Sequence, residues 1–319
     1  MIDLTQAPYN VQPDWTGIGS DGSATDWGSA ITDAIAAANE TSLTGLDMAG
    51  IGEEIILPLG GIMCNSPIVV PAGVILRGVN RTGSVIKMGP DFPADRHFID
   101  LGDESLHSAQ FGGKIQHMTI VHNYEQASLN KAMLYTSNMQ DTDDMWFDLT
   151  IYGGRRQAMR GEIGWGGASF IHARNILYSS SAQDASSNAL AYFGFDPATS
   201  IYLERFEPAA GMVDGLPRPN TKGLMVKDGT YHLRGLHGEQ VSCVLNINMT
   251  YPDSLFRGSN ITGHPTVNEI VQIEPNSVQT GRIRLDDVRR YSATGHFVIR
   301  NQISGGTSST TDVITPQVF

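Results

Sequence analysis

Cysteine is almost missing from this chain: Cys64 and Cys243 are the only two among 319 residues. They lie far apart and show no CxxC spacing, so neither a disulfide framework nor a zinc site follows, and two buried free thiols are expected. Charge is sparse and one-sided, with 17% charged residues, 33 acidic against 21 basic, and a net charge of −12. That balance argues against nucleic acid or an anionic membrane as partner, because either needs a basic patch. A neutral or cation-rich glycan surface is a better electrostatic match. No apolar run approaches the ~20 residues of a membrane span. The opening MIDLTQAPYN has neither the basic nor the apolar stretch of a signal peptide. Together these absences predict a soluble protein made in a reducing cytoplasm, with no cofactor and no bound metal.

Turn formers, by contrast, are plentiful, with 35 glycines and 15 prolines. The most informative stretch runs from Asp14 to Ile35, DWTGIGSDGSATDWGSAITDAI. It joins a polar Gly/Ser/Asp loop to a short helix with Asp26 as N-cap, Ile31 and Ile35 on one stripe, and Asn39 near its end. The following β-runs, IIL, IVV, VIL and SVIKM, are punctuated by Pro58, Pro67, Pro71 and Gly73. A capped helix followed by closely spaced strands is the layout of a coil whose open end is plugged.

The middle of the chain repeats imperfectly. Seven segments share an apolar core, and their central apolar residues are Met118, Leu149, Ile176, Phe206, Leu236, Ile261 and Val288. Successive differences between those positions are 31, 27, 30, 30, 25 and 27 residues. A period in this range marks a solenoid, one repeat per turn of chain, with insertions emerging as loops on one side. Asp148, Asn175, Asn260 and Asp287 recur beside the apolar pair, as suits corners that need a left-handed residue. An antiparallel sandwich explains neither the even intervals nor the cap. The expected organisation is a leader at 1–13, a cap at 14–52, a parallel β-helix at 53–303 and a C-terminal tail at 304–319.

Residues 14–90 also resemble the N-terminal part of the pectate-lyase-like superfamily of right-handed β-helix proteins, which includes many phage tailspikes. The resemblance is carried by Asp14, Gly17, Gly19, Asp21, Gly22 and the ATD of residues 24–26. Ala30, Ile31, Ala34 and Ile35 follow, then Leu57-Pro58, Gly60-Gly61, Ile68, Val70, Leu76 and Gly78. It implies an all-β fold, a right-handed parallel β-helix with a short N-terminal capping helix. It further implies a place on a virion surface, assembly as a homotrimer with apolar tails packed at the axis, and contact with host surface polysaccharide and other virion proteins. Tailspikes often carry a separate particle-binding domain ahead of the cap, whereas here the cap motif starts at residue 14. That departure raises capsid decoration beside the tail assignment.

Activity is less specified than fold, because the superfamily holds lyases, hydrolases and proteins without chemistry. Asp141, Asp143 and Asp144 precede the strand WFDLTIYGG and offer carboxylates to ligate Ca²⁺ or to supply a pair for glycosidic cleavage, against the favoured reading as an acidic turn feeding a strand. Glu204 and Glu207 flank Phe206 as a second candidate acid–base pair, against a reading as solubilising charges. His237, Glu239 and Asp228 offer a base with an orienting carboxylate. No complete catalytic motif is present, since Asp143-Asp144, Gly263-His264 and Arg282-Ile283-Arg284 match polygalacturonase-type hydrolases only in fragments. Trp146, Tyr152, Trp165, Tyr178 and Tyr202 cluster in the middle third and are the candidates for stacking on sugar rings. A polysaccharide lyase or glycoside hydrolase is the rival reading, and a structural cement protein the third.

Overall fold

A computed structural model describes residues 1–15, 24–41, 53–102, 110–122, 131–136, 139–140, 142–152, 157–162, 170–180, 189–194, 200–210, 212–213, 216–217, 220–264, 267–275, 277, 283–290, 299–302, 313–314 and 317–318. The chain forms a right-handed parallel β-helix built mainly from two sheets. The first carries the longer strands, among them Lys114–Val121, Thr142–Tyr152, Phe170–Ser180, Ser200–Ala210, Thr230–Gly238, Leu255–Gly263 and Ile283–Arg290. The second stacks nine shorter strands in chain order, from Ile68–Val70 to Ile299–Asn301. Each pass of the chain adds one strand to both sheets, and the sheets satisfy their backbone groups along the axis.

The repeat spacing is the coil length. Met118, Leu149, Ile176, Phe206, Leu236, Ile261 and Val288 are direct register partners from one rung to the next. All seven are at most 1% exposed. Aromatic rings join this column from both sheets: Phe193 packs 5.6 Å from Trp146 and 6.4 Å from Phe206, centroid to centroid.

Immediately before each of these residues the strand bends. His117, Asp148, Asn175, Arg205, Asn260 and Asp287 all have φ between 54° and 58°, and Gly235 stands in the same column at 79°. Asn and Asp tolerate this left-handed region because their short side chains bond locally. The expected corners at Asp148, Asn175, Asn260 and Asp287 are all present. Their side chains also ladder: Asn175 Nδ2 donates to Asp148 Oδ1 at 2.5 Å, and His117 Nδ1 meets Asp148 Oδ2 at 3.0 Å. The bend divides the outer surface of the first sheet into two facets, one upstream and one downstream of the corner.

Phase along the strand overturns two expectations. Trp146 and Tyr178 are fully buried, so neither can stack on an external sugar. Trp146 shares its rung position with Ile115 and Ala173, which face inward. Tyr178 stands two residues beyond Ile176, hence on the same inner face. Its hydroxyl donates to the Gly223 carbonyl at 2.9 Å, satisfying the polar tip within the core.

The helix Gly28–Thr41 closes one end, burying Ile31, Ala34, Ile35 and Ala38. Asp26 caps it as expected, accepting from the Gly28 amide at 2.9 Å and the Asn65 amide at 3.0 Å. The N-terminal residues join the stack: Ile2–Asp3 pairs in parallel with Glu54–Ile56, and Leu4 and Val11 are buried. At the other end, Val313–Ile314 and Gln317–Val318 pair antiparallel with the last long strand. Cys64 and Cys243 are buried free thiols. Among the described residues, no helix is long and apolar enough to cross a membrane.

Candidate functional site

On the upstream facet, outward side chains repeat at fixed distances before the corner. Three residues before it, His172, Tyr202, His232, Arg257 and Arg284 are register partners on five consecutive rungs. One residue before it stand Arg174, Glu204, Arg234, Ser259 and Asp286. The inward residue between each pair is buried, for example Leu203 and Leu233. Two parallel rows of functional groups therefore run along the axis at ~4.8 Å per rung. Except for Arg174, these ten side chains line a depression of about 450 Å³.

The floor of the depression is aromatic and its flanks are charged. Tyr202 and His232 stack with centroids 4.8 Å apart and planes 10° from parallel. Tyr202 nevertheless stays 40% exposed, with an apolar face edge and a hydroxyl to offer. Burial, helped by the charge of Arg257, lowers the His232 pKa, which favours a neutral ring. Arg284 pairs with Asp286 on its own strand at 3.1 Å. Arg234 and Arg257, both exposed, have no hydrogen-bond or ion-pair partner among the described residues.

At one edge sits the acidic group anticipated at residues 141–144. Asp143, 81% exposed at its side chain, meets His172 Nδ1 at 2.9 Å. Asp144 accepts from Arg174 Nε at 2.5 Å and from a second guanidinium nitrogen at 2.7 Å. Burial would raise the Asp144 pKa, but the Arg174 hydrogen bonds and charge outweigh it and hold the carboxyl below its usual value. Asp143, Asp144 and His172 present ligand atoms within 4.8 Å of one another. Arg174 already occupies both Asp144 oxygens, and it also lies 4.3 Å over the Phe147 ring. The arrangement is accounted for without a cation.

Other sequence candidates are dispersed. Glu204 and Glu207 stand on opposite sides of the Arg205 corner: Glu204 lines the depression, whereas Glu207 lines a second one of about 260 Å³ with Arg81, Asn175 and His237. His237 bonds Thr262 Oγ1 at 2.8 Å and lies 3.5 Å from Glu239. Asp228 does not join them, being buried and committed to the Thr250 and Tyr251 amides. Tyr152 is 45% exposed but lines neither depression. Asp141 and Trp165 lie outside the described residues.

Sequence reasoning missed His172, His232, Arg234 and Arg257. A signal was available in HARN, HLRG and FRGSN, where basic side chains recur one or three residues before the corner position. Alignment on the corner, rather than on carboxylate pairs, would have placed them in two outward rows.

No protein-family model matches this chain, and no curated protein is detectably similar in sequence. Among solved structures it is similar to a double-mutant tailspike protein of E. coli bacteriophage HK620 in complex with a pentasaccharide. The TM-score is 0.57 at 14% identity, over 92% of this chain and 50% of the tailspike. It is also similar to ORF18 of Geobacillus virus E2, with a TM-score of 0.37 and 14% identity over 90% of this chain and 60% of that one. The mannuronan C-5 epimerase A-module of Azotobacter vinelandii matches with a TM-score of 0.29 and 14% identity, over 89% and 93%. The chain thus spans about half the length of the tailspike and three-fifths of the Geobacillus virus protein. The first likeness shows a shared fold, a tailspike-like right-handed β-helix.

Proposed function

We propose that this chain is a phage virion surface protein, on tail or capsid, that contacts host surface polysaccharide through the depression on its upstream facet. The observation carrying this reading is the Tyr202–His232 stack set among Glu204, Arg234, Arg257 and Ser259 in a concave surface. Aromatic carbon to cover a sugar ring, framed by groups that bond its hydroxyls, is how a protein holds a carbohydrate. The fold shared with a tailspike solved in complex with a pentasaccharide supports it. A homotrimer and contacts with other virion proteins belong to the same proposal. Sedimentation at multiples of three times 34.5 kDa supports the trimer, and particles of 34.5 kDa alone discard it.

A second reading, depolymerase, is favoured by one arrangement. Asp143 meets His172 Nδ1 at 2.9 Å, and His172 Nε2 lies 4.0 Å from Glu204. With the Nδ1 proton directed to Asp143, Nε2 is left as a base at the depression. Glu204 and Asp286, by contrast, are three rungs apart, roughly 14 Å at ~4.8 Å per rung. That exceeds the ~5–9.5 Å of glycosidase carboxylate pairs. Incubation with a panel of capsular polysaccharides separates the readings. Retardation in affinity electrophoresis without fragments, lost in Tyr202→Ala, supports binding. Oligosaccharide release or new absorbance at 235 nm, lost in His172→Ala, supports cleavage, and no interaction across the panel overturns both.

A further inference from the structure

We infer that the glycan bound in this depression is acidic, with a sugar carboxylate held between Arg234 and Arg257. This rests on the glycan-contact reading and specifies its ligand class.

Charge pairing elsewhere on the molecule makes these two residues stand out. Arg77 pairs with Glu54, Arg174 with Asp144, Arg284 with Asp286, and Arg300 with Glu269, each within 3.2 Å. Lys222 meets Glu274 at 3.0 Å. Arg96, Lys131 and Lys227 also show no ion pair among the described residues, but none of them lines this depression. Arg234 and Arg257 are the two cations lining it that have no ion pair among the described residues, and they sit on adjacent rungs. Arg234 is the register partner of Ser259, two residues beyond Arg257 on the same outward phase. The two guanidiniums are thus diagonal neighbours, at a Cα separation of ~7–8 Å for such positions.

Two guanidiniums at that spacing can take one carboxylate between them, each offering planar donors that match its oxygens. Ser259 beside them adds a hydroxyl, and the His232 ring lies next to Arg257 in the row. Glu204 and Asp286 bracket Arg234 and Ser259 along the other row. Those carboxylates repel a ligand charged at every sugar. The pattern fits a polymer with neutral sugars between its uronic or sialic residues.

The test is binding of the full chain to a panel of polysaccharides bearing uronic or sialic acid. Each is paired with its carboxyl-reduced counterpart, and neutral polysaccharides are run alongside. The expected result is binding to at least one acidic polymer, weakened ~10-fold or more by carboxyl reduction, as for loss of a charge-assisted hydrogen bond. Arg234→Gln with Arg257→Gln produces the same loss while circular dichroism is unchanged. Lys227→Gln, an exposed cation on the second sheet, leaves affinity intact. Equal binding to reduced and acidic forms, or binding to neutral polymers only, overturns the carboxylate inference and leaves glycan contact standing. Binding to nothing in the panel removes both.

Discussion

Asp144 shows how one side chain ties the acidic edge to the fold. It sits at a left-handed backbone position, φ 52°, within a local shift in strand register between Thr142 and Trp146. Burial opposes its ionisation, yet the Arg174 hydrogen bonds and charge win and depress its pKa. A depressed carboxyl contributes stability that is fully present above the unfolded value of ~3.9. The contribution fades as pH falls through the folded value. Asp144→Asn should therefore lower stability at pH 7 and flatten its decline between pH 4 and pH 2, measured by urea denaturation across pH. Parallel wild-type and variant curves would show that the ion pair contributes nothing. At this scale the sequence was partly legible. Asp148, Asn175, Asn260 and Asp287 announced their corners by residue type, whereas His117 and Arg205 occupy the same conformation without that signature. Trp146 and Tyr178 misled because aromatic composition was weighed ahead of strand phase.

Individual strands are stabilised less by their own ladders than by the apolar columns they share. Phe206 is 1% exposed and packs edge-on against Phe193 and Tyr178, so rings from two successive coils meet at one side chain. Phe206→Ala should cost about 3–5 kcal/mol, the usual range for an emptied aromatic site. Glu207→Ala, one residue on and exposed, should stay within about 0.5 kcal/mol. Chemical denaturation of the pair tests inward and outward phase directly, and similar losses in both would contradict it. The long strands were readable because an apolar residue directly follows every corner of this column. Strands of the second sheet such as Gln157–Glu162 and Ala189–Gly194 were not, being short and rich in small residues without clear alternation. The capping helix was legible from Asp26 and the Ile31/Ile35 stripe alone.

For the whole molecule, one-directional stacking is what turns scattered residues into a surface. His172 and Arg284 are 112 positions apart in the chain, yet they are four rungs apart on one row. The acidic average charge hides a local concentration of arginine and histidine on the upstream facet, which composition alone could not reveal. Function was accordingly less readable than fold. The candidate site depends on which residues share a rung, and that is fixed by loop lengths that vary from coil to coil.

Distances between spin labels along one outward row test this stacking most directly. Gln116, Phe147, Arg174, Glu204, Arg234, Ser259 and Asp286 are successive register partners. The native thiols are buried, with pKa values pushed up by desolvation, so introduced surface cysteines label selectively. Pairing a label at Gln116 with one at Arg234, Ser259 or Asp286 should give backbone separations of roughly 19, 24 and 29 Å, rising by ~4.8 Å per rung. Separations that fail to increase in that order, as hairpin pairing of the same strands would produce, would contradict the account.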